Sequence, residues 1–469
     1  MYKLPSHIDP NKIFIIQFSE LERRFDPYYY NPHFKVIDGK LSKIEYSTIR
    51  KESIKIFSGI TPKSGGSDYT NQIEGVPFIR SGDFDEENRI DFNGLNYVKA
   101  EVHNKLMKAS QLNKFDMLIA IVGATIGKVG VYNYDLEANI NQAICAVRFK
   151  ENINPYFVQI FLLTSFGQTI LNRLKRPVAR ANINLEEIAS IPIPQLPKEV
   201  QQEIVDFYDN AIKKKQSKEI QAQELLASID DYLLGELGIT LPAENIVDKV
   251  IGYQNFELNG QNPLVKNGRL FLTRFSEVSG GRLDPKNSLY LGKKSKSIIY
   301  ENIALSKIAI IEKGQSITSK EVVEGEYPVI AGGQSSPYSH NQYNNEANII
   351  TVSASGAYAG FVWYHDYPIF ASDCSVIRSK DESLFSTKYI FEVLKAKQKE
   401  IYFLQQGAGQ PHVYSTDLEK ILIPAVSKDI QDKVVCHIKS IRHEIQELQK
   451  KAMKVIEQAK EETEKMILK

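Results

Sequence analysis

Cysteine is nearly missing from this 469-residue chain: Cys145, Cys374 and Cys436 stand far apart with no CxxC spacing. That excludes a disulfide framework and cysteine-based zinc sites, and it fits a reducing cytoplasm. The eight histidines fall in no HExxH or HxE pattern, so no helix face gathers metal ligands. No apolar run reaches the roughly 18 residues of a membrane span, and Met1-Tyr2-Lys3-Leu4-Pro5 opens without a hydrophobic signal core. Neither membrane insertion nor secretion is expected. Net charge is missing as well, with 58 basic residues against 57 acidic ones, so no global field marks a nucleic-acid partner. Local clusters carry what charge bias there is, chiefly 171-LNRLKRPVARANIN-184 and 292-GKKSKS-297.

What the chain does have is an internal repeat. The stretch 18-FSELERRFDPYYY-30 answers to 275-FSEVSGGRLDPKNSLY-290, and 123-GATIGKVGVY-132 to 356-GAYAGFVWY-364. Next, 138-ANINQAICAVR-148 answers loosely to 371-ASDCSVIR-378. Last, 188-IASIPIPQLPKEVQQEIV-205 answers to 418-LEKILIPAVSKDIQDKVV-435, pairing Pro194 with Pro424 and Gln201 with Gln431. Four blocks keep one order in both halves.

Each half changes character at its proline-rich end. Before it, short apolar runs at 117–123, 143–149, 348–354 and 361–364 are broken by Gly, Asn, Asp and Pro, as strands and turns are. Helices are expected over 155–174 and 386–404. After it, apolar residues recur every three or four positions. In the second half these are Ile430, Val434, Ile438, Ile441, Ile445, Leu448, Ala452, Val455, Ala459 and Met466. In the first, Val200, Ile204, Phe207 and Ala211 begin the stripe, Lys213 to Lys215 interrupt it, and Ala222, Leu225, Ile229 and Tyr232 resume it before Gly235 and Gly238. Two such helices bury their stripes best against each other, as an antiparallel pair.

The expected architecture is α+β, with two tandem mixed α/β domains at 1–195 and 269–425. Each is followed by a long coiled-coil helix, at 196–238 and 426–469, with a connector at 239–268.

Motifs that would carry catalysis fall short. The stretch 26-DPYYYNPHF-34 twice approaches the Asn/Asp-Pro-Pro-Tyr/Phe loop of adenine-N6 methyltransferases, each time without the second proline. No glycine-rich turn and ribose-binding acid follow in order. Gly123, Gly127 and Lys128 suggest a phosphate loop, but the gap is one residue short and Val129 stands where Ser or Thr is needed. Ser355 lies in no GxSxG elbow, and no compact PD-(D/E)xK set is found. Polar loops remain: 61-TPKSGGSDYTNQ-72, 79-IRSGDF-84, 332-GGQSSPYSHNQYNN-345 and 405-QQGAGQPHVYS-415. Their amides, hydroxyls and guanidinium groups suit base edges and phosphates, and ordinary loop composition is the plain alternative.

Taken together, 122-VGATIGKVGVY-132, 139-NINQAICAVR-148, 190-SIPIPQLPKEVQQEI-204, 352-VSASGAYAGFV-362 and 407-GAGQPHVYSTDLEKILIP-424 resemble the specificity subunit of type I restriction-modification systems. The resemblance spans nearly the whole chain. It implies a non-catalytic subunit whose two target-recognition domains each read half of a bipartite double-stranded DNA target. The helices would set the spacer and dock two methyltransferase subunits, with restriction subunits joining outside. S-adenosylmethionine, ATP and Mg would be held by those partners, and this chain would bind no cofactor. Candidate DNA contacts are Lys63, Arg80, Lys128, Arg176 and Arg180 in the first domain, and Gln334, Ser335, Tyr338, Tyr358, Gln410 and His412 in the second. A type IIB-like specificity subunit and an intrinsic adenine-N6 methyltransferase are the alternatives.

Overall fold

The computed structural model describes residues 5, 9, 12–21, 24–176, 181–241, 295–407 and 409–469. The chain divides into two compact units, Met1–Glu219 with Gln449–Lys469, and Ile220–Leu448. The connector beyond residue 241 and the start of the second repeat, including 284-DPKNSLYLG-292, lie outside the described residues.

Unit 1 runs α1 (Lys35–Leu41), β1 (Tyr46–Thr48), α2 (Ile49–Glu52), β2 (Ser53–Ser58), β3 (Tyr69–Thr70), β4 (Gly75–Ile79), β5 (Asn96–Lys99), α3 (Ala100–Asn104), β6 (Met117–Ala120), β7 (Val129–Val131), β8 (Asn139–Ile140) and β9 (Ile144–Phe149). It continues through α4 (Pro155–Leu163), α5 (Ser165–Leu174), α6 (Leu185–Ala189) and β10 (Pro192–Pro194) into the long helix α7 (Lys198–Glu236). One antiparallel sheet has the order β2-β9-β6-β7, a second has β3-β5-β4-β8 with β4 and β8 parallel, and β1 pairs with β10.

Unit 2 repeats this plan. A short pair, β11 (Ile239–Thr240) and β12 (Lys296–Ser297), makes the first two connector residues a strand. Then come β13 (Asn302–Ala304), α8 (Leu305–Ile308), β14 (Ala309–Lys313), β15 (Tyr327–Ile330), β16 (Ser339–His340), β17 (Ile349–Ser353), β18 (Val362–His365), β19 (Phe370–Ala371) and β20 (Cys374–Ser379). The unit ends with α9 (Thr387–Ala396), α10 (Gln398–Phe403), α11 (Ser415–Leu418), β21 (Leu422–Pro424) and the long helix α12 (Lys428–Ile467). Its main sheet has the order β14-β20-β17-β18, β15 and β19 pair in parallel, and β13 pairs with β21. The repeat seen in four sequence blocks is therefore a repeat of topology.

One glycine in each unit makes that topology possible. A side chain on Gly59 would stand 1.7 Å from the Ile140 carbonyl oxygen, and one on Gly314 would stand 2.1 Å from that of Ser372. The chain leaving β2 or β14 crosses against β8, or the residues just after β19, closely enough that only glycine fits.

The two helices expected over 155–174 and 386–404 are each broken. Thr164 adopts an extended conformation between α4 and α5, and its hydroxyl accepts from Gly167 N at 3.2 Å as an N-cap. The second break falls at Lys397, between α9 and α10. Its ammonium group is fully buried and donates to the carbonyls of Ser295 and Leu422, each at 2.7 Å. Burial holds it down to about 8.

The long helices carry their apolar stripes as expected, with two shifts. Phe207 is exposed, and Tyr208 takes the seam position between Ile204 and Ala211. At the other end Ile467 is buried rather than Met466. Both follow from the 3.6-residue turn drifting against a seven-residue repeat. In unit 1, Ile204, Tyr208 and Ala211 share a core with Ala459 and Ile467. In unit 2, Ile229 and Leu233 share one with Val434, Ile438 and Ile441. There Tyr232 lies 4.1 Å from the His437 ring, and Glu236 meets Lys433 at 2.7 Å, so the strands of the pair run antiparallel. Helix α7 passes unbroken through Lys213 to Lys215 and Gly235, ending at Glu236.

Gln201 and Gln431, matched in the sequence repeat, perform one task. Gln201 accepts from Asn154 N at 2.8 Å, and its amide donates to the carbonyls of Asn152 and Leu196. Gln431 accepts from Ser386 N at 2.9 Å and donates to Leu384 and Val426. Each buried amide thereby joins the first turn of a long helix to the N-cap of α4 or α9. Removing one strands buried backbone groups, at about 1–3 kcal/mol for each such group. Gln431→Ala should lower stability by at least about 2 kcal/mol in urea unfolding, while the exposed Gln202→Ala should stay within about 0.5 kcal/mol.

His365, on β18, is fully buried, with Nε2 2.8 Å from the Thr351 hydroxyl. Burial pushes its pKa down from 6.5 to about 4, against a smaller opposing pull from Asp366. The folded protein therefore binds this proton more weakly than the unfolded chain does. The cost is absent above about pH 6.5, grows as pH falls, and is complete below about pH 4, where it reaches about 3 kcal/mol. Urea midpoints across that window should fall for the native protein and flatten for His365→Gln.

Candidate nucleic-acid interface

The polar loops gather at one end of each main sheet, laced by backbone hydrogen bonds. In unit 2, Ser372 N donates to Ile330 O at 2.7 Å, Ala354 N to Asp373 O at 3.1 Å, Val413 N to Ala354 O and Gly356 N to Pro411 O, both at 3.0 Å. In unit 1, Asn141 N donates to Ile79 O at 3.0 Å, while Ile183 N to Ile121 O and Gly123 N to Ala181 O are 2.9 Å. The Gly123 N–H thus serves the protein's own chain and is not aimed at a phosphate.

An isolated antiparallel bridge of equal spacing occurs in both units, Arg176 to Asn182 and Gln406 to His412. An acid eleven residues on holds the first residue of each bridge. Arg176 donates to Glu187 from Nε at 3.2 Å and from its terminal nitrogen at 3.0 Å, and Gln406 donates to Asp417 at 2.9 Å. Glu187 also takes Arg24 at 3.1 Å and the backbone N–H of Asn184 at 2.9 Å.

Arg24 accounts for the methyltransferase-like stretch. Its guanidinium group binds Asp26 at 2.8 Å and the carbonyls of Leu174 and Lys175. The Tyr29 ring lies 4.8 Å from Arg24 and 4.4 Å from Arg173, and Tyr30 hydroxyl donates to Arg24 O at 2.8 Å. Asp26 and its tyrosines fasten the N-terminal segment to α5 and α6, with no open catalytic loop.

The candidate contacts sort into two sets. Three of the cations are engaged internally: Arg80 clamps Asp83 at 2.8 and 3.1 Å, Lys128 donates to Phe84 O at 2.7 Å, and Arg176 binds Glu187. These hold loop shape. Lys63, Gln334, Ser335, Tyr338, Tyr358 and Gln410 are exposed on the loops. His412 is half-buried, its ring stacked 6.2 Å from Tyr414. Arg180 lies outside the described residues. Sequence reasoning missed Asp373, which accepts from the Ser355 hydroxyl, and the glycine pair Gly59 and Gly314. Equivalent spacing after each β2-type strand was the available signal.

A family model described as the type I restriction modification DNA specificity domain matches residues 51–226 and 299–458. The chain belongs to this family. It is the DNA-recognition subunit of a type I restriction-modification system, a non-catalytic component whose partners are DNA and the modification and restriction subunits. A structure described in a study of complex assembly and conformational transition of the type I restriction-modification system shares this subunit's fold. It aligns over 90% of this chain and 96% of its own at 11% identity, with a TM-score of 0.53. The S subunit from M. genitalium aligns over 90% and 96% at 14% identity, with a TM-score of 0.40. No curated protein matches the specificity subunit. Among its described residues no helix is long and apolar enough to cross a membrane, and no group of His, Cys, Asp and Glu is placed to hold a metal.

Because Gln406 does in unit 2 what Arg176 does in unit 1, Arg176→Gln should change unfolding midpoints little. Glu187→Ala removes the carboxylate that two guanidinium groups and the Asn184 N–H share and should cost about 2–3 kcal/mol in the same measurement.

Proposed function

We propose that the subunit reads a bipartite DNA target, one half through the domain at 1–195 and the other through the domain at 269–425. The duplicated topology carries this reading, because two copies of one loop-bearing sheet suit two half-sites. The long helices, about 60 Å at 1.5 Å per residue, set the number of unread bases and dock two methyltransferase subunits, with restriction subunits outside. S-adenosylmethionine, ATP and Mg belong to those partners, and the work is done in the cytoplasm. Lys63 in the first domain, and Gln334, Ser335, Tyr338, Tyr358, Gln410 and His412 in the second, face the DNA, while Arg80, Lys128 and Arg176 shape their loops and Arg180 adds a phosphate contact.

Replacing residues 269–425 with those of another family member should change one half of the methylated sequence and leave the other intact. Single-molecule sequencing of methylated adenines in a host carrying the full complex reads both halves at once. A change in both halves refutes the modular arrangement.

A further inference from the structure

Unit 1 carries an open cavity of about 660 Å³ at the edge of its β3-β5-β4-β8 sheet, lined by residues 64–66, 69–72 and 92–97 except Asn93. Its floor is built for rigidity. Gly75 on β4 has no side chain, so Thr70 and Tyr97 settle over it; an added Cβ would stand 2.7 Å from Thr70 Cγ2 and 2.6 Å from Tyr97 Cβ. Tyr69 is held by its hydroxyl to Pro62 O at 3.1 Å and edge-on to Phe78.

The polar groups of the lining are not equivalent. Asn71 accepts from Ile73 N at 2.9 Å and Glu74 N at 3.1 Å, so its carboxamide makes the turn. Gln72 and Asn96 are exposed, and among the described residues their carboxamides have no hydrogen-bond partner. Strand register shows where Asn96 stands in the repeat. On β4 and β5, Pro77 opposes Tyr97 and Phe78 opposes Asn96. On β15 and β16, Pro328 opposes Ser339, so the position opposite Val329 is Tyr338, whose carbonyl accepts from Val329 N at 2.9 Å. Asn96 is thus the register counterpart of Tyr338, which is 55% exposed.

We infer that Gln72 and Asn96 are the base-reading residues of unit 1, presenting free carboxamides from a rigid wall to an A·T pair in the major groove of its half-site. A carboxamide can pair with N6 and N7 of adenine at once, and two unpartnered ones beside a fixed aromatic floor have the chemistry for it. Tyr338 holds the matching place in unit 2, so the two halves read different bases from one position of the fold. This rests on unit 1 being a half-site reader.

The test uses the full complex with Asn96→Ala and Gln72→Ala, sequenced for methylated adenines alongside the domain exchange above. Both side chains are exposed and unbonded, so thermal unfolding should match the native protein. The expected result is a relaxed A·T position in one half-site, with discrimination there falling about tenfold and the other half unchanged. Tyr338→Ala should relax the opposite half. Unchanged half-sites, or methylation reduced evenly at every target, overturn the assignment. If the domain exchange itself alters neither half, the bipartite reading fails; if the exchange works and these variants do nothing, only the assignment of Gln72 and Asn96 fails.

Discussion

A helix of about forty residues with an apolar stripe along its length cannot leave that stripe in water, and two such helices occur in this chain. At about 25 cal/mol per Å² of apolar surface, burying each large side chain of the stripe is worth roughly 1.5–3 kcal/mol. Each unit satisfies a stretch of both helices within its own core. Polar ties then fasten the helices to the domains they pack on. Glu464 accepts from the Ser165 hydroxyl and Phe166 N at 2.9 and 3.0 Å, an anion at the N-terminus of α5. In unit 2, Arg442 grips the Glu392 carboxylate with two nitrogens, at 2.5 and 2.7 Å.

That helix packing governs the loops through a short relay. Gln201 and Gln431 fix the first turn of each long helix to the N-cap of the helix that covers the main sheet. The residues preceding each long helix, β10 or β21, return to pair with the strand that enters the sheet. Upstream of them, Glu187 or Asp417 holds the bridge residue Arg176 or Gln406. Rigid loops matter because base readout depends on hydrogen-bond geometry at fixed positions, which mobile side chains would blur.

Much of this was legible in the sequence because the duplication supplied an internal comparison. The strands over 117–123, 143–149, 348–354 and 361–364 follow from short apolar runs broken by turn residues, the long helices from their three- and four-residue apolar spacing, and the Gln201–Gln431 match from aligned blocks. What stayed hidden depends on contacts that only the folded chain makes. The capping role of Thr164 needed Gly167 packed against the end of α4, and the exposure of Phe207 needed the true helical phase. Arg80, Lys128 and Arg176 looked like free cations because only folding turns Arg80 back onto the nearby Asp83 and brings Phe84 and Glu187 to the other two. Asn96 was invisible for a different reason: its kinship with Tyr338 is a matter of strand register, and the loops leading to the two strands differ in length.

Charge balance then decides what kind of recognition the chain can perform by itself. Phosphate attraction scales with the number of phosphates neutralised, and 58 basic residues against 57 acidic ones leave little to drive counterion release. The cations that lie near the loops are largely paired with the protein's own acids and carbonyls, which lowers the sequence-independent term further. Discrimination does not suffer from this, since neutral carboxamides and hydroxyls on fixed loops distinguish bases without raising affinity for every duplex. A reader built this way favours correct over incorrect sequence by geometry, and leaves the bulk of the binding free energy to be supplied by whatever else grips the DNA.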